Sequence, residues 1–269
     1  MKRLAFLALG VLASGIIAMP AHAGTLRDLC PTRPGLGTPP CIVDQGHVLA
    51  ESGLADWTRE KDAATRTDTL LYGDLLLRYG IDALSEVQIG WTPYGTVRTR
   101  DSAARMVDRS GGTGDVMLAL KHSLAAPDGS GLSLAVQPSV SLPTGGSAIG
   151  AGDWSAGLIA PFSMDIGHGM SFQLSPEIDA AVDADGKGRH VAYGSVAGLG
   201  IDLSQAVNAA IELSAFRDDD PDGHVTEWLA ATSLAWTVSD RLQLDAGGAF
   251  GLNADSPDAR LYVGVARRF

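Results

Sequence analysis

The feature that most constrains this chain is an alternation of apolar and polar residues that recurs from Gly46 to Phe269. In the stretch Thr67 to Tyr79, three leucines fall on one face and two charged residues on the other, namely Leu71, Leu75 and Leu77 against Asp74 and Arg78. A period of two is that of a β-strand. Each segment is about ten residues long, which is the length of a tilted strand that crosses a membrane. The sequence therefore predicts an all-β chain.

Twelve segments show this pattern, and we predict that they form a transmembrane antiparallel up-and-down β-barrel over residues 46–269. The segments are His47 to Trp57, Thr67 to Tyr79, Leu84 to Val97, Gly114 to Leu124, Gly131 to Leu142, Asp153 to Ile166, Met170 to Asp183, His190 to Leu203, Ala206 to Phe216, Val225 to Val238, Leu242 to Asn253 and Ala259 to Phe269. Short turns alternate with mostly longer polar loops, such as Arg98 to Thr113. Short periplasmic turns and longer outer loops are typical of bacterial outer-membrane barrels, so both termini are expected in the periplasm.

Residues 1–23 have the composition of a secretory signal peptide. Lys2 and Arg3 precede an apolar run, and Ala21 to Ala23 forms an A-H-A cleavage site. The expected mature chain has no stretch of the roughly 18 apolar residues that a transmembrane helix needs. The chain has a net charge of -11, and removal of Lys2 and Arg3 makes it -13. This charge argues against nucleic acid as a partner.

Residues 24–45 show neither strand nor helix periodicity, and we predict a periplasmic lead-in or a plug. The chain's only two cysteines, Cys30 and Cys41, lie in this proline- and glycine-rich stretch. In an oxidising periplasm they can form a disulfide, which would stiffen a segment that otherwise has no reason to order. The stretch has too few ligands for a metal site, and no cofactor is expected.

A secreted β-sandwich or jelly roll would also bury one apolar face, so alternation alone does not exclude it. The barrel is favoured by aromatic residues near strand ends, which are Tyr79, Trp91, Trp154, Trp228, Trp236 and Phe269. A barrel of this kind would contact outer-membrane lipid. The terminal Phe269 resembles the signal by which the barrel assembly machinery recognises its substrates. Arg267 departs from the apolar residue usual in that signal, and we interpret it as snorkelling to the interface.

The alternation also assigns polar residues to the lumen. They are Glu51, Asp74, Arg78, Glu86, Asp115, Lys121, Gln137, Gln173, Glu177, Asp179, Glu212, Glu227, Asp245 and Arg260. With Asp183 and Arg268, the inward set has ten acidic side chains against four basic ones. Such a lining would attract cations and repel anions. The alternative is that the carboxylates pair with these bases and with Ser and Gln neighbours and merely fill the interior.

Two stretches in the middle of the chain are more specific. Ser139 to Gly146 reads SVSLPTGG and Gly150 to Trp154 reads GAGDW, with the motif residues Pro143, Thr144, Gly145, Gly152, Asp153 and Trp154. Together with GHVLAES from Gly46, LRYGIDALSEV from Leu77 and GTGDV from Gly112, they resemble the bacterial outer-membrane family named for a MetA pathway of phenol degradation. The resemblance implies a twelve-stranded transporter barrel for small, aromatic or hydrophobic compounds, and it assigns no substrate-binding residue.

The PTGG motif also has a purely structural interpretation. Pro143 has no amide hydrogen for a strand ladder and would end the fifth strand, while the two glycines permit the positive φ of a turn.

Two other motifs are weaker. Asp218, Asp220 and Asp222 resemble the start of a calcium loop, but Leu229 stands where the bidentate glutamate is required and no helices flank the loop. A solvated acidic loop is therefore favoured, with weak divalent binding at the cell surface left open. For an outer-membrane hydrolase, a dyad could form from His190 or His224 with Asp219 or Asp185, but no hydrolase motif surrounds these residues.

The expected function is therefore that of a transporter or channel in the cell outer membrane, with a small-molecule substrate and no enzyme activity. A structural or adhesive surface barrel without transport is the alternative, although its loops would be longer than these. A hydrolase is the third possibility.

Overall fold

The computed structural model describes residues 26–269, and the chain forms one sheet of sixteen strand segments that closes on itself. The segments are β1 (Val48–Lys61), β2 (Thr65–Tyr72), β3 (Asp74–Gly80), β4 (Ser85–Trp91), β5 (Tyr94–Asp101), β6 (Met106–Gly112), β7 (Val116–Ala125), β8 (Leu132–Leu142), β9 (Ser155–Ile159), β10 (Phe162–Gly167), β11 (Met170–Val182), β12 (Arg189–Asp202), β13 (Val207–Asp220), β14 (Gly223–Ser239), β15 (Leu242–Gly251) and β16 (Ala259–Arg268). The predicted signal peptide, residues 1–23, lies outside the described residues.

Four pairs of consecutive segments each occupy one position in the wall, so the barrel has twelve strands. These pairs are β2 with β3, β4 with β5, β6 with β7, and β9 with β10. β2 and β3 both pair with β1; β5 and β4 follow as their next neighbours, and β6 and β7 come after those. β9 and β10 both lie between β8 and β11. Every pairing between these segments is antiparallel, and the pairing of β16 with β1 closes the wall. The predicted twelve-stranded antiparallel barrel is confirmed. Within residues 26–269, no helix is both long enough and apolar enough to cross a membrane.

The polarity of this barrel is the reverse of that of a soluble protein. Its fully buried side chains include Glu51, Arg78, Glu86 and Lys121, whereas large apolar side chains such as that of Ile89 point outward. A soluble β-sandwich would instead bury its apolar side chains. An apolar outer face around a polar interior is the arrangement of a barrel in a lipid bilayer.

Irregularities in the wall change which residues face inward. β1 has a bulge between Gly53 and Ala55, and the paired strand breaks at Gly73, whose φ is 68°. Beyond the bulge, Leu71 lies opposite Asp56, which is buried. The prediction that Leu71 faces outward was therefore wrong, because an added residue reverses the face of all that follow it.

The predicted loop Arg98 to Thr113 was also wrong. β5 continues to Asp101 and β6 starts at Met106, so these residues form a hairpin with a four-residue turn that includes Arg105 at φ 52°. This hairpin has polar residues on both faces, and β6 is exposed along most of its length. The period of two on which the strand assignment depended is therefore missing from its sequence.

Candidate functional site: the barrel lumen and the segment that crosses it

Residues 26–45, which we call the luminal segment, lie inside the barrel. Their backbone and side chains hydrogen-bond to side chains on β1, β3, β4, β7, β11, β13, β15 and β16. These strands are spread around the whole wall. The luminal segment therefore crosses the lumen from one side to the other.

The guanidinium of Arg78 is the main attachment on one side. It donates to Glu86 from Nε and Nη2, at 2.8 and 3.1 Å, and to Glu51 from Nη1, at 3.2 Å. Nη1 and Nη2 also donate to the backbone carbonyls of Cys30 and Cys41, at 2.8 and 3.0 Å. A guanidinium has five N–H donors, and here each has an acceptor. This satisfies the requirement that a fully buried charge be paired and hydrogen-bonded.

Glu86 and the neighbouring Lys121 each hold one further point of the luminal segment. Its Oε2 accepts from the amide of Val43 at 2.7 Å, and its Oε1 accepts from Gln88 Nε2 at 2.7 Å. Lys121 Nζ lies 3.8 Å from Glu86 Oε1 and donates to the carbonyl of Pro39 at 2.9 Å. Barrel charges are thus used to hold the backbone of the luminal segment.

Cys30 and Cys41 are joined by a disulfide. The carbonyls of both cysteines accept from Arg78. The chain between the cysteines is therefore a closed loop whose base is fixed to β3 and whose tip extends into the lumen.

The tip of this loop contacts the opposite wall. Glu212 on β13 accepts from the amides of Leu36 and Gly37, at 2.8 and 3.0 Å. Ser175 on β11 accepts from the amide of Thr38 and donates to its carbonyl, at 3.0 and 2.8 Å. A Cβ on Gly37 would lie 3.2 Å from Ser175 Oγ, so glycine permits this close approach.

Arg33 provides a cation that the alternation of the strands could not show. Its Nη2 lies 2.9 Å from Asp245 Oδ1, and its amide donates to Glu51 at 2.9 Å. The guanidinium lies 5.6 Å from the ring centroid of Tyr262, and glycine at position 264 leaves room for it. A lone arginine between prolines gives no sequence signal for such a contact, because its partner is 212 positions away.

Other predicted lumen residues contact the wall itself. Asp74 accepts from the Thr92 hydroxyl at 2.7 Å, and Arg260 Nε lies 3.0 Å from an oxygen of Asp56. Asp56 was missed because the bulge in β1 changes its face. Arg260 therefore pairs with a carboxylate outside the predicted acidic set and neutralises none of its members.

Glu177 and Asp179 lie two residues apart on β11, facing inward. Within residues 26–269, neither has a basic side chain within 4.0 Å, and the same holds for Glu227 on β14. Gln137 is buried, and Gln173 lines the cavity on the same side of the lumen. Two wall regions thus differ, since the β1–β4 side has paired charges and the β11–β14 side keeps unpaired carboxylates.

The PTGG and GAGDW motifs lie at the far end of the barrel, away from the chain termini. Asp115 accepts from the amides of Gly145 and Ala151, both at 2.7 Å, which folds the β8–β9 loop over the end of β7. The Thr144 hydroxyl accepts from the amide of Val116 at 2.9 Å, just beyond Pro143 at the end of β8.

Asp153 and Trp154 continue this loop toward β12. Arg189 pairs with Asp153 at 2.9 Å and lies 3.8 Å from the Trp154 ring centroid, while Gly152 has φ 83°. The hydrogen bond from the Trp154 amide and the nearby Arg189 lower the pKa of Asp153. These motif residues shape a loop and do not reach the luminal segment.

Open space remains along the β11–β14 wall. A cavity of about 730 Å³ opens at the end where the chain termini lie, and a second of about 270 Å³ continues inward from it. They share Leu29, Asp202, Asn208 and Thr237 in their linings. The inner cavity ends at the contact between Glu212 and the luminal segment.

Comparison with known proteins places this barrel in a family. The family described as "Putative MetA-pathway of phenol degradation" matches residues 32–269. The chain belongs to this family. The match begins at residue 32, so it includes residues 32–45 of the luminal segment. No curated protein matches the sequence.

Solved structures share the fold at low identity. An outer membrane channel from Pseudomonas putida F1 has a TM-score of 0.69 at 15% identity, covering 90% of this chain and 100% of that one. The NanC porin has a TM-score of 0.51 at 8% identity, covering 82% and 98%. The transport unit of the autotransporter AIDA-I from Escherichia coli has a TM-score of 0.52 at 9% identity, covering 83% and 90%. At these identities the likeness shows the barrel fold alone.

Proposed function

We propose that the protein is a narrow outer-membrane channel for small compounds, in which residues 24–45 act as a plug. The observation that supports this most directly is the closed barrel with an apolar outer face and a polar lumen crossed by the luminal segment. Twelve strands enclose more space than side chains alone fill in an eight-stranded barrel, and less than an open porin of sixteen strands. The luminal segment occupies part of that space.

The passage follows the β11–β14 wall. The inner cavity there is lined by small inward residues, which are Ser171, Gly200, Ala210, Ser233 and Ala235. Beyond Glu212, a further cavity of about 620 Å³ opens at the far end between His190 and Glu227. The inner cavity reaches Glu212 and the far cavity reaches Phe216 on the same strand, and the hydrogen bonds from Leu36 and Gly37 to Glu212 lie at the inner cavity's end. Movement of this loop tip would join them.

Small aromatic and other hydrophobic compounds are the substrate class we propose. The family's description names phenol degradation, and the matched Pseudomonas protein is described as an outer membrane channel. The lumen carries no catalytic grouping in this proposal, and no cofactor is required. In this account the apolar outer face contacts outer-membrane lipid, and the barrel assembly machinery recognises Phe269.

Two measurements test the proposal. Membrane fractionation should recover the protein with the outer membrane, and a soluble periplasmic protein would contradict the proposed location. Uptake of labelled phenol and other small aromatic compounds should then be faster in cells that carry the protein than in cells that lack it. If cells with and without the protein take up these compounds equally, and the protein still conducts ions, the result would instead indicate a general narrow pore.

A further inference from the structure

Three side chains at the far end of the barrel bring oxygen and nitrogen atoms to one point. Asp183 follows β11, His190 is the second residue of β12 and Asp220 is the last residue of β13. His190 Nδ1 lies 2.9 Å from Asp183 Oδ1 and 3.4 Å from Asp220 Oδ2. One ligand atom from each of the three lies within 4.8 Å of the other two. The residues come from two different hairpins, so no sequence motif joins them.

A fourth residue, Asp218, lies beside the imidazole of His190. The His190 side chain is only 6% exposed, and its Nε2 lies 2.6 Å from Asp218 Oδ1. Yet this contact lacks hydrogen-bond geometry, which leaves the buried Nε2 without a hydrogen-bond partner. A histidine that binds a metal through one ring nitrogen usually donates from the other to a carboxylate, which fixes its orientation. Asp218 is placed for that role.

The local charge also favours a cation. Three carboxylates surround one imidazole, whose charge is at most one. The arginines on the same two strands as His190 and Asp220 are already paired, Arg189 with Asp153 and Arg217 with Asp219, at 2.9 and 2.7 Å. A buried imidazole between carboxylates therefore has an excess of negative charge around it.

We propose that Asp183, His190 and Asp220 bind one divalent transition-metal ion of the zinc class. Nδ1 of His190 and one oxygen from each carboxylate would be the protein ligands, and water would complete the coordination. An imidazole with carboxylates suits zinc and its neighbours better than calcium, which takes oxygen ligands.

This site differs from the calcium-like pattern in the sequence. In the β13–β14 turn, Asp218 Oδ1 accepts from the Asp220 amide and Asp220 Oδ1 accepts from the Asp222 amide, at 3.1 and 2.7 Å. These two hydrogen bonds use Oδ1 of each aspartate and stabilise the hairpin turn, whereas the Asp220 oxygen that faces His190 is Oδ2. The metal in our proposal would join this hairpin to the β11–β12 connection, beside the cavity at the far end of the barrel.

The test uses the full-length folded protein in detergent, stripped with a chelator and then titrated with Zn²⁺ by calorimetry. We expect one Zn²⁺ per chain, and Co²⁺ at the same site should give the visible absorption of a nitrogen- and oxygen-liganded ion. His190→Gln and Asp183→Asn should each remove this binding. Asp218→Asn should weaken it by about 10- to 100-fold.

His224→Gln is the matched control. His224 lies on the β13–β14 hairpin that also carries Asp220, but its side chain is 66% exposed, and among residues 26–269 the carboxylate within 4.0 Å of it is that of Asp219, at 3.4 Å. This variant should bind Zn²⁺ as the unchanged protein does. The proposal is overturned if the unchanged protein shows no saturable one-to-one binding. It is also overturned if folded His190→Gln, verified by its heat-modifiable migration in gels, still binds Zn²⁺ with unchanged affinity.

Discussion

Replacing Arg78 with methionine should release the luminal segment while the barrel stays closed. Methionine fills similar space but removes all five hydrogen bonds of the guanidinium, and two of these hold the luminal segment by the carbonyls of Cys30 and Cys41. A hydrogen bond to a charged group contributes about 1.5–3 kcal/mol, so the loss is about 3 kcal/mol at the lower end. Since 1.4 kcal/mol corresponds to a factor of ten, the open population of the segment should rise roughly 100-fold.

Hydrogen exchange of the peptide that contains residues 26–45 measures this population directly, because amides exchange when the segment undocks. The amides of Leu36, Gly37 and Val43 should exchange roughly 100-fold faster in Arg78→Met, while strand amides stay protected. Arg260→Met is the control, since Arg260 pairs with Asp56 and has no hydrogen bond to the luminal segment. Exchange within about threefold of the unchanged protein, or equal acceleration in both variants, would refute the reasoning.

Three further outcomes follow from the same structure. Cys30 and Cys41 should resist alkylation in the non-reduced protein, and their double replacement by serine should increase channel noise; full labelling of both before reduction would exclude the disulfide. Conductance should be small and cation-selective, and Glu177→Gln with Asp179→Asn should lower that selectivity, because these two carboxylates have no basic partner within residues 26–269. Anion preference in reversal potentials, or an unchanged double variant, would contradict this. Deleting Phe269 should reduce the heat-modifiable barrel recovered from the outer membrane, and undiminished recovery would show that the terminal residue is not needed for assembly.

The barrel could be predicted from sequence because each strand inside a bilayer must present one apolar face. Apolar and polar residues therefore alternate with a period of two in every membrane-crossing segment. The prediction failed where this alternation ends although the strands continue, as in the hairpin that includes Arg100 and Met106. The bulge at Gly53 had a similar effect, because one added residue reverses the face of those beyond it, including Asp56.

The arrangement inside the lumen could be predicted only in part. Alternation assigned Arg78, Glu86 and Glu212 to the inner face, but it could not show that they bind the backbone of residues 26–45. Such contacts join positions as far apart as Leu36 and Glu212. They use backbone amides, which nearly every residue has, so no residue type in the sequence indicates them. The two interpretations of the lumen therefore apply to different regions. Charges are paired near β3, whereas the carboxylates of Glu177 and Asp179 on β11 have no basic partner within residues 26–269.

Single-channel recording in planar bilayers tests the central claim most directly. The unchanged protein should give small, cation-selective openings, and Arg78→Met should give larger ones because the luminal segment no longer crosses the pore. Arg260→Met should match the unchanged protein. If folded protein gives no conductance, and Arg78→Met gives none either, the barrel is not a channel that this segment plugs.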